Sequence, residues 1–227
     1  ITKGYFDRSS KKIVEYLTLF YCDKTVNELI VPTKKTYDLF KEKYEVNKNI
    51  HIVPTGIEID RFYSENVNKE KIKDLKKIYK ISKDDIVVIF VGRLAKEKNI
   101  EFLIRNHLEL VKHKKNIKLL IIGDGPDMEE YGELVKELNM QNNIILGGKV
   151  PYTDIPCYYQ LADIFVTAST TETQGLTVIE AMAGGITPVC IKDESFVNVV
   201  IDGLNGRIFT NKEEYLTRIK EEIATYK

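Results

Sequence analysis

The chain has 227 residues, 43% of them hydrophobic, which is enough for one large domain or one domain plus part of another. Its 34 basic residues balance its 34 acidic residues, and a net charge of zero provides no field that would attract nucleic acid. The longest apolar runs are far too short to span a bilayer and no signal peptide is evident, so we expect a cytoplasmic α/β protein.

The first quarter of the chain indicates only part of a domain. Apolar spacing predicts, in order, a helix over Tyr5–Phe20, a strand over Glu28–Pro32, a helix over Thr36–Tyr44 capped by Thr33, and a strand over Asn49–Pro54. A complete Rossmann-like domain needs more than about 100 residues. Residues 1–62 are therefore interpreted as the remnant of an N-terminal Rossmann-like domain and the linker that leaves it.

Residues 63–227 alternate regularly between helix and strand patterns. The near-continuous apolar run Ile86–Val91 is typical of a strand in a parallel sheet covered on both faces. Further strands are predicted over Lys118–Ile122, Asn143–Leu146, Ile164–Thr167, Thr187–Ile191 and Asn205–Phe209. Helices are predicted over Lys69–Tyr79, Asn99–His113, Asp127–Asn139, Asp154–Leu161, Gly175–Met182, Glu194–Ile201 and Lys212–Thr225. This alternation predicts a Rossmann-like, doubly wound parallel sheet.

The helix over Lys69–Tyr79 has an apolar face and a lysine-rich face. Such a helix can lie against anionic lipid. A solvated face on a packed helix is the commoner explanation, and we favour it.

The stretch TETQGLTVIEAMA in the second half of the chain has the pattern of an anion site. A polar turn over Ser169–Gln174 leads into a helix, whose start carries partial positive charge on its first backbone N–H groups. Those groups belong to Gly175, Leu176 and Thr177. Glu172 and Glu180 flank the turn and can meet ligand groups on either side of the anion, although a pair of ordinary surface glutamates is the alternative interpretation.

The same stretch resembles the donor-site motif of the retaining family 4 nucleotide-sugar glycosyltransferases. Members of that family have the GT-B fold, in which two Rossmann-like domains face each other across a cleft. The resemblance implies that Glu172 contacts the transferred sugar, Glu180 holds the ribose hydroxyls, and the amides of Gly175 to Thr177 hold the diphosphate. It also places Gln174 among the donor-binding residues.

The segment Gly92-Arg93 to Lys98, after the strand Ile86–Val91, resembles the GR…EK signature of the same family. The resemblance implies that Arg93 and Lys98 hold the donor diphosphate beside Gly92. Otherwise they are two exposed cations near a helix start, where they would oppose the helix dipole. Together with the helix start they could contribute on the order of 5 kcal/mol to leaving-group stabilisation, enough to proceed without a metal.

Other strand ends offer weaker candidates. Val150, after the strand Asn143–Leu146, matches the place where the family holds the base through backbone atoms. Gly123–Pro126 (GDGP) is either a ligand-facing loop or an ordinary strand-to-helix turn. Gly184-Gly185 is interpreted as a helix stop.

The histidines and cysteines carry no recognisable chemistry. His51, His107 and His113 are interpreted as structural or surface residues, and no catalytic triad or metal-ligand spacing is found. Cys22, Cys157 and Cys190 are interpreted as buried thiols of a reducing compartment.

The resemblance predicts transfer of a hexose, glucose in particular, from a UDP-sugar with retention of configuration and no metal cofactor. CDKTVNELIVPTKKTYDLF and VPTGIEIDRF look most similar to bacterial diacylglycerol glucosyltransferases, which implies a membrane lipid as acceptor and contact with the inner face of the cell membrane through the N-terminal domain. Capsular or cell-envelope glycosyltransferases, UDP-sugar 2-epimerases and a non-catalytic nucleotide-binding module are the alternatives. Since the acceptor-side catalytic groups of the family lie in its first domain, we expect this chain alone to bind donor and transfer little.

Overall fold

The computed structural model describes residues 8–226, with side chains from residue 12 onward. The chain forms two compact units. Unit 1 contains the residues up to Ile57 together with Thr171–Gly175, and unit 2 contains Glu58–Thr170 and the residues from Leu176 onward. Unit 1 thus also takes in a five-residue segment from far along the sequence, and the assignment of residues 1–62 to the remnant of an N-terminal domain stays a prediction.

Unit 1 contains a short parallel strand pair. Its strands are β1 (Glu28–Val31) and β2 (Asn49–Ile52). Its helices are α1 (Arg8–Phe20) and α2 (Lys34–Asp38), which continue as π-helical turns over Tyr21–Thr25 and Leu39–Lys43. β1 pairs with β2 from Glu28 opposite Asn49 to Val31 opposite Ile52. The Thr33 hydroxyl accepts a hydrogen bond from the Thr36 N–H, which confirms the predicted cap. The first three residues of the helix predicted over Tyr5–Phe20 lie outside the described residues.

Unit 2 is a six-stranded parallel sheet flanked by helices, as predicted. Its strands are β3 (Ile86–Val91), β4 (Ile117–Ile122), β5 (Ile144–Gly148), β6 (Ile164–Thr167), β7 (Thr187–Ile191) and β8 (Arg207–Phe209), in the spatial order β5-β4-β3-β6-β7-β8. Its helices are α3 (Lys69–Ile78), α4 (Ile100–His113), α5 (Met128–Glu137), α6 (Ile155–Tyr159), α7 (Leu176–Ala183) and α8 (Lys212–Ile223). The chain moves outward from β3 to β5 and then returns to the other side of β3, so the order reverses between β3 and β6.

Two hydrophobic clusters cover the two faces of this sheet. Alternate residues of β3 point to opposite sides: Ile86, Val88 and Phe90 join one cluster, and the residues between them join the other. The first cluster includes residues of α4, α5 and α8, and the second includes residues of α3, α6 and α7. Burial on both faces is why β3 is apolar at every position.

The helix predicted over Glu194–Ile201 is wrong in its extent. Only a single 3-10 turn forms, over Glu194–Phe196. The Asn205 side chain donates to the Val199 carbonyl and accepts from the Ile201 N–H, so it takes backbone groups that a longer helix would need.

The end of α7 is as predicted. Gly185 adopts φ +78°, a left-handed conformation that glycine accepts without strain. The Gly184 N–H donates to the Glu180 carbonyl and the Ile186 N–H to the Ala181 carbonyl, which satisfies the last carbonyls of the helix.

Candidate functional site

A cavity of about 490 Å³ lies at the carboxyl end of the unit 2 sheet, beside the start of α7. Its walls come from the ends of β3 and β4, the loop after β5, and the first turns of α7. The lining residues are Val91, Gly92, Arg93, Ile122, Gly123, Asp124, Gly125, Lys149, Val150, Tyr152, Ile155, Thr177 and Glu180. Carboxyl ends at a reversal of strand order are where open α/β sheets bind ligands. A second hollow of about 340 Å³ lies at the amino ends of β7 and β8, where that rule does not place a ligand.

Close backbone packing between two loops fixes one wall of the cavity. A Cβ atom on Gly123 would lie 1.8 Å from the Gly92 carbonyl oxygen, and one on Gly125 would lie 2.1 Å from the Leu94 carbonyl oxygen. The Leu94 N–H donates to the Asp124 carbonyl at 3.0 Å, and Leu94 itself is fully buried. The GDGP segment is therefore both a packed turn and part of the cavity wall.

Arg93 lines the cavity, and Lys98 is not among its lining residues. Arg93 is exposed and lies between Gly92 and the buried Leu94, both held by that packing. Lys98 ends a 3-10 turn over Lys96–Lys98, directly before α4, and is not among the residues that line the cavity. The two cations predicted as a pair thus occupy different positions in the same loop.

The start of α7 forms another wall. Gly175 has φ +69°, so the chain turns sharply into the helix at Leu176. Thr177 lines the cavity in the first turn, where helix N–H groups carry partial positive charge. Val178 and Ala181 are fully buried in the sheet-facing core, which fixes the orientation of the helix.

Glu180 is the buried acid of the cavity, with 5% of its surface exposed. Its Oε1 accepts a hydrogen bond from the Tyr152 hydroxyl at 3.1 Å, and its Oε2 accepts one from the Tyr159 hydroxyl at 3.0 Å. Loss of solvation raises the pKa of Glu180 above its ordinary value, and the two tyrosines and the charge of Arg61 oppose this rise. A charged carboxylate with fixed lone pairs is a good acceptor for hydroxyl groups.

Three of the predicted donor-site residues belong to unit 1: Glu172, Gln174 and Gly175. Gln174 is buried, and its side chain binds the backbone of Thr55 in both directions: the Thr55 N–H donates to Oε1 and Nε2 donates to the Thr55 carbonyl, each at 2.9 Å. The Thr33 hydroxyl donates to the Thr173 carbonyl at 2.8 Å. Glu172 lies half-buried in the same segment, which Gly175 ends. The Gln174 side chain therefore has a structural partner within unit 1, which its sequence motif does not indicate.

The family is shown by comparison with known proteins. The family described as "Glycosyl transferases group 1" matches residues 71–225. This chain belongs to the group 1 glycosyltransferases. Two relatives carry the name alpha-monoglucosyldiacylglycerol synthase: one from Acholeplasma laidlawii, 39% identical over 86% of this chain, and one from Streptococcus pneumoniae, 30% identical over 98% of it. The chain spans 48% and 50% of their respective lengths, about half of each relative.

Solved structures of glycosyltransferases share the fold. Anabaena HepE, crystallised with UDP-glucose, superposes with a TM-score of 0.79 at 18% identity, over 99% of this chain and 60% of that protein. Sucrose-phosphate synthase from Thermosynechococcus elongatus gives a TM-score of 0.77 at 21% identity, over 98% and 54%. These neighbours are GT-B enzymes, and the predicted fold class is thereby confirmed.

Five of the residues predicted for this glycosyltransferase site line one cavity of unit 2. They are Gly92, Arg93, Val150, Thr177 and Glu180. Tyr152, Tyr159 and Arg61 could not be predicted from the sequence, because no local pattern links a carboxylate to a tyrosine 28 positions earlier or to an arginine in another turn.

The histidines lie away from this cavity. His51 is exposed beside Glu28, His107 is fully buried in α4, and His113 is exposed at the end of that helix. Within residues 8–226, no three His, Cys, Asp or Glu side chains come close enough together to hold a metal ion. None of the helices in the described part of the chain has the length and apolarity needed to cross a membrane.

Proposed function

We propose that this chain supplies the donor site of a retaining glucosyltransferase that moves glucose from UDP-glucose to a membrane lipid, diacylglycerol. One observation carries the proposal: an arginine, a helix start and a buried carboxylate line one cavity at the carboxyl end of the sheet. The relatives named alpha-monoglucosyldiacylglycerol synthase support both the sugar and the acceptor.

The cavity has the charge distribution that a departing nucleoside diphosphate needs. Glycosyl transfer builds negative charge on the diphosphate, and Arg93 offers a planar fork of N–H donors to it. The N–H groups at the start of α7, near Thr177, offer a second source of positive potential. Each charge-assisted hydrogen bond contributes about 1.5–3 kcal/mol, so two or three of them accelerate departure by several orders of magnitude.

The remaining roles follow from the family resemblance. Glu180 accepts the ribose hydroxyls, Val150 meets the base through its backbone, and Lys98 adds charge at the diphosphate. Glu172 contacts the transferred glucose. The positive groups replace a metal ion in this scheme. Residues 1–62 are assigned to the acceptor-side N-terminal domain, and that domain contacts the inner face of the cell membrane.

Isothermal titration calorimetry of the chain with UDP, UDP-glucose and GDP-mannose tests the donor site. We expect both uridine nucleotides to bind, GDP-mannose to bind more weakly, and Arg93→Ala or Glu180→Ala to reduce UDP affinity at least about tenfold. Arg105→Ala is the matched control, because Arg105 is an exposed cation of α4 that pairs with Glu101. A well-folded sample that binds none of these nucleotides would refute the proposal.

The acceptor requires a separate assay. With the full gene product, we expect glucose transfer from UDP-glucose to diacylglycerol in phosphatidylglycerol vesicles. Transfer to a capsular oligosaccharide, with none to diacylglycerol, would contradict the lipid assignment and leave the donor site intact.

A further inference from the structure

Two tyrosines each donate a hydrogen bond to one oxygen of the Glu180 carboxylate, and one of the two is held in the core. Tyr159 is fully buried, and its ring contacts Phe62 and Phe165 at centroid distances of 5.8 and 6.2 Å. Its hydroxyl lies 3.0 Å from Glu180 Oε2 and 3.1 Å from the Thr177 carbonyl. This tyrosine belongs to the core of unit 2 and ties Glu180 to the first turn of α7.

The other tyrosine lies at the cavity surface. Tyr152 is 53% exposed, lines the cavity and begins a 3-10 turn after Pro151. A half-exposed phenol in a loop has rotamer freedom, and a 3.1 Å hydrogen bond to Glu180 alone would be weak restraint.

Arg61 supplies the missing restraint on Tyr152. Its guanidinium carbon lies 4.5 Å from the centroid of the Tyr152 ring, and its Nη2 donates to the Tyr152 carbonyl at 3.3 Å. Arg61 belongs to the 3-10 turn Ile59–Phe62, which is anchored by the fully buried Phe62. The arginine therefore holds both the ring and the backbone of Tyr152.

The Glu180 carboxylate can accept more hydrogen bonds than its two tyrosine partners donate. Each carboxylate oxygen can accept two hydrogen bonds, and the tyrosines use one position on each. Two acceptor positions remain, one for each hydroxyl of a cis-diol. Recognition of such a diol requires the carboxylate to stay charged and to keep its orientation in a site where burial disfavours the charge.

We propose that Tyr152, held by Arg61, is a positioning residue that orients the Glu180 carboxylate toward the vicinal ribose hydroxyls of the donor nucleotide. The inference rests on the proposed function and adds two residues to that site. Removal of the Tyr152 hydroxyl should weaken recognition of the diol and leave recognition of the base and the phosphates unchanged.

The test compares UDP with 2′,3′-dideoxyuridine 5′-diphosphate, which lacks both hydroxyls, by calorimetry on the whole chain. We expect the wild-type chain to prefer UDP by at least about tenfold, and Glu180→Ala to abolish the preference. Tyr152→Phe and Arg61→Met should each reduce the preference at least about threefold, with the affinity for the dideoxy nucleotide unchanged. Tyr158→Phe is the control, because the Tyr158 hydroxyl meets Tyr79 and not Glu180.

A pH series gives a readout that a general loss of structure would not produce. Since the Tyr152 hydrogen bond favours the charged form of Glu180, its loss raises the pKa of this carboxyl. The preference for UDP in Tyr152→Phe should therefore fall more steeply than in the wild-type chain between pH 7.5 and pH 5.5. Tyr159, Tyr152 and Arg61 are the groups that face the carboxylate.

The outcomes separate this inference from the proposed function. Absence of UDP binding by the folded wild-type chain would overturn both. A wild-type preference that Glu180→Ala abolishes and Tyr152→Phe retains would overturn the positioning role alone. Equal weakening of both nucleotides in Tyr152→Phe, or a gain in UDP affinity, would overturn it as well.

Discussion

Replacement of Gly123 by alanine tests whether the wall of the cavity depends on direct backbone contact between two loops. The new Cβ would lie 1.8 Å from the Gly92 carbonyl oxygen and 3.0 Å from Leu94 Cδ1. The first contact must lengthen by more than about 1 Å to reach the 3.0 Å below which Cβ contacts essentially do not occur. The neighbour is backbone, so it cannot turn aside as a flexible side chain could.

Two costs add in this variant. Overpacking of a well-packed site typically costs about 1–3 kcal/mol. Gly123 also has φ +142°, where an alanine is strained by a further 1–3 kcal/mol or so. We therefore expect the free energy of unfolding to fall by about 2–6 kcal/mol, and the β3 loop that carries Arg93 to shift.

Urea unfolding followed by far-UV circular dichroism measures the first effect. With a slope of about 2–3 kcal/mol per molar, the midpoint should fall by about 0.7–3 M. Where Gly123→Ala remains folded, its UDP affinity should also fall, because Arg93 follows Gly92 directly in the displaced loop.

Gly132→Ala is the matched control within the same unit. This glycine lies inside α5, and its Cβ would meet only Leu146 Cδ1 at 3.9 Å, an ordinary contact. The same chemical change should therefore stabilise the protein by about 0.5–1 kcal/mol. Unfolding of Gly123→Ala within 0.5 kcal/mol or so of the wild-type value would refute the packing argument.

Three further predictions concern buried polar groups. Gln174→Ala should lower the free energy of unfolding by about 1–3 kcal/mol, because it leaves the Thr55 N–H and carbonyl without their 2.9 Å partners; an unchanged urea midpoint would contradict this. Burial lowers the pKa of His107 from 6.5 to about 4. As the pH falls, the His107 imidazole is therefore protonated in the unfolded chain before it is protonated in the folded chain, which favours unfolding. Between pH 7.5 and pH 5.5 the wild-type chain should lose about 1.4 kcal/mol more stability than His107→Leu, and parallel pH profiles would exclude that linkage. Burial raises the pKa of Glu180 in the folded chain, so the folded chain binds a proton at this carboxyl more readily than the unfolded chain does. At neutral pH the charged carboxylate therefore lowers the free energy of unfolding. At pH 7.5, Glu180→Gln should therefore unfold at a higher urea concentration than the wild-type chain, and this difference should shrink as the pH falls. The same variant should lose UDP affinity. A lower urea midpoint than the wild-type chain at pH 7.5 would count against this.

The strands of unit 2 could be predicted because burial on both faces leaves a clear local pattern. Ile86–Val91 lies between Asp85 and Gly92, and Ile164–Thr167 follows Asp163. The structure has both strands, and Thr187–Ile191, with the predicted bounds. The segment Glu194–Ile201 has similar apolar content, but the Asn205 side chain competes for its backbone. That competition depends on a single side chain, so apolar periodicity does not reveal it.

Residues that line the cavity could be predicted where they follow a strand end or belong to a contiguous motif. Arg93 and Val150 were found in this way, and Glu180 through a contiguous motif. The residues that hold Glu180 could not be predicted, because Tyr152 and Arg61 are 91 positions apart in the sequence and come together only in the folded structure. The contact between Thr55 and Gln174 spans 119 positions and likewise leaves no local signal.

The most direct test of the donor-site assignment is a crystal structure of this chain with UDP. We predict the diphosphate between the Arg93 guanidinium and the first turn of α7, with both ribose hydroxyls within hydrogen-bond distance of the Glu180 carboxylate. UDP bound at any other place, with this cavity empty, would contradict the account.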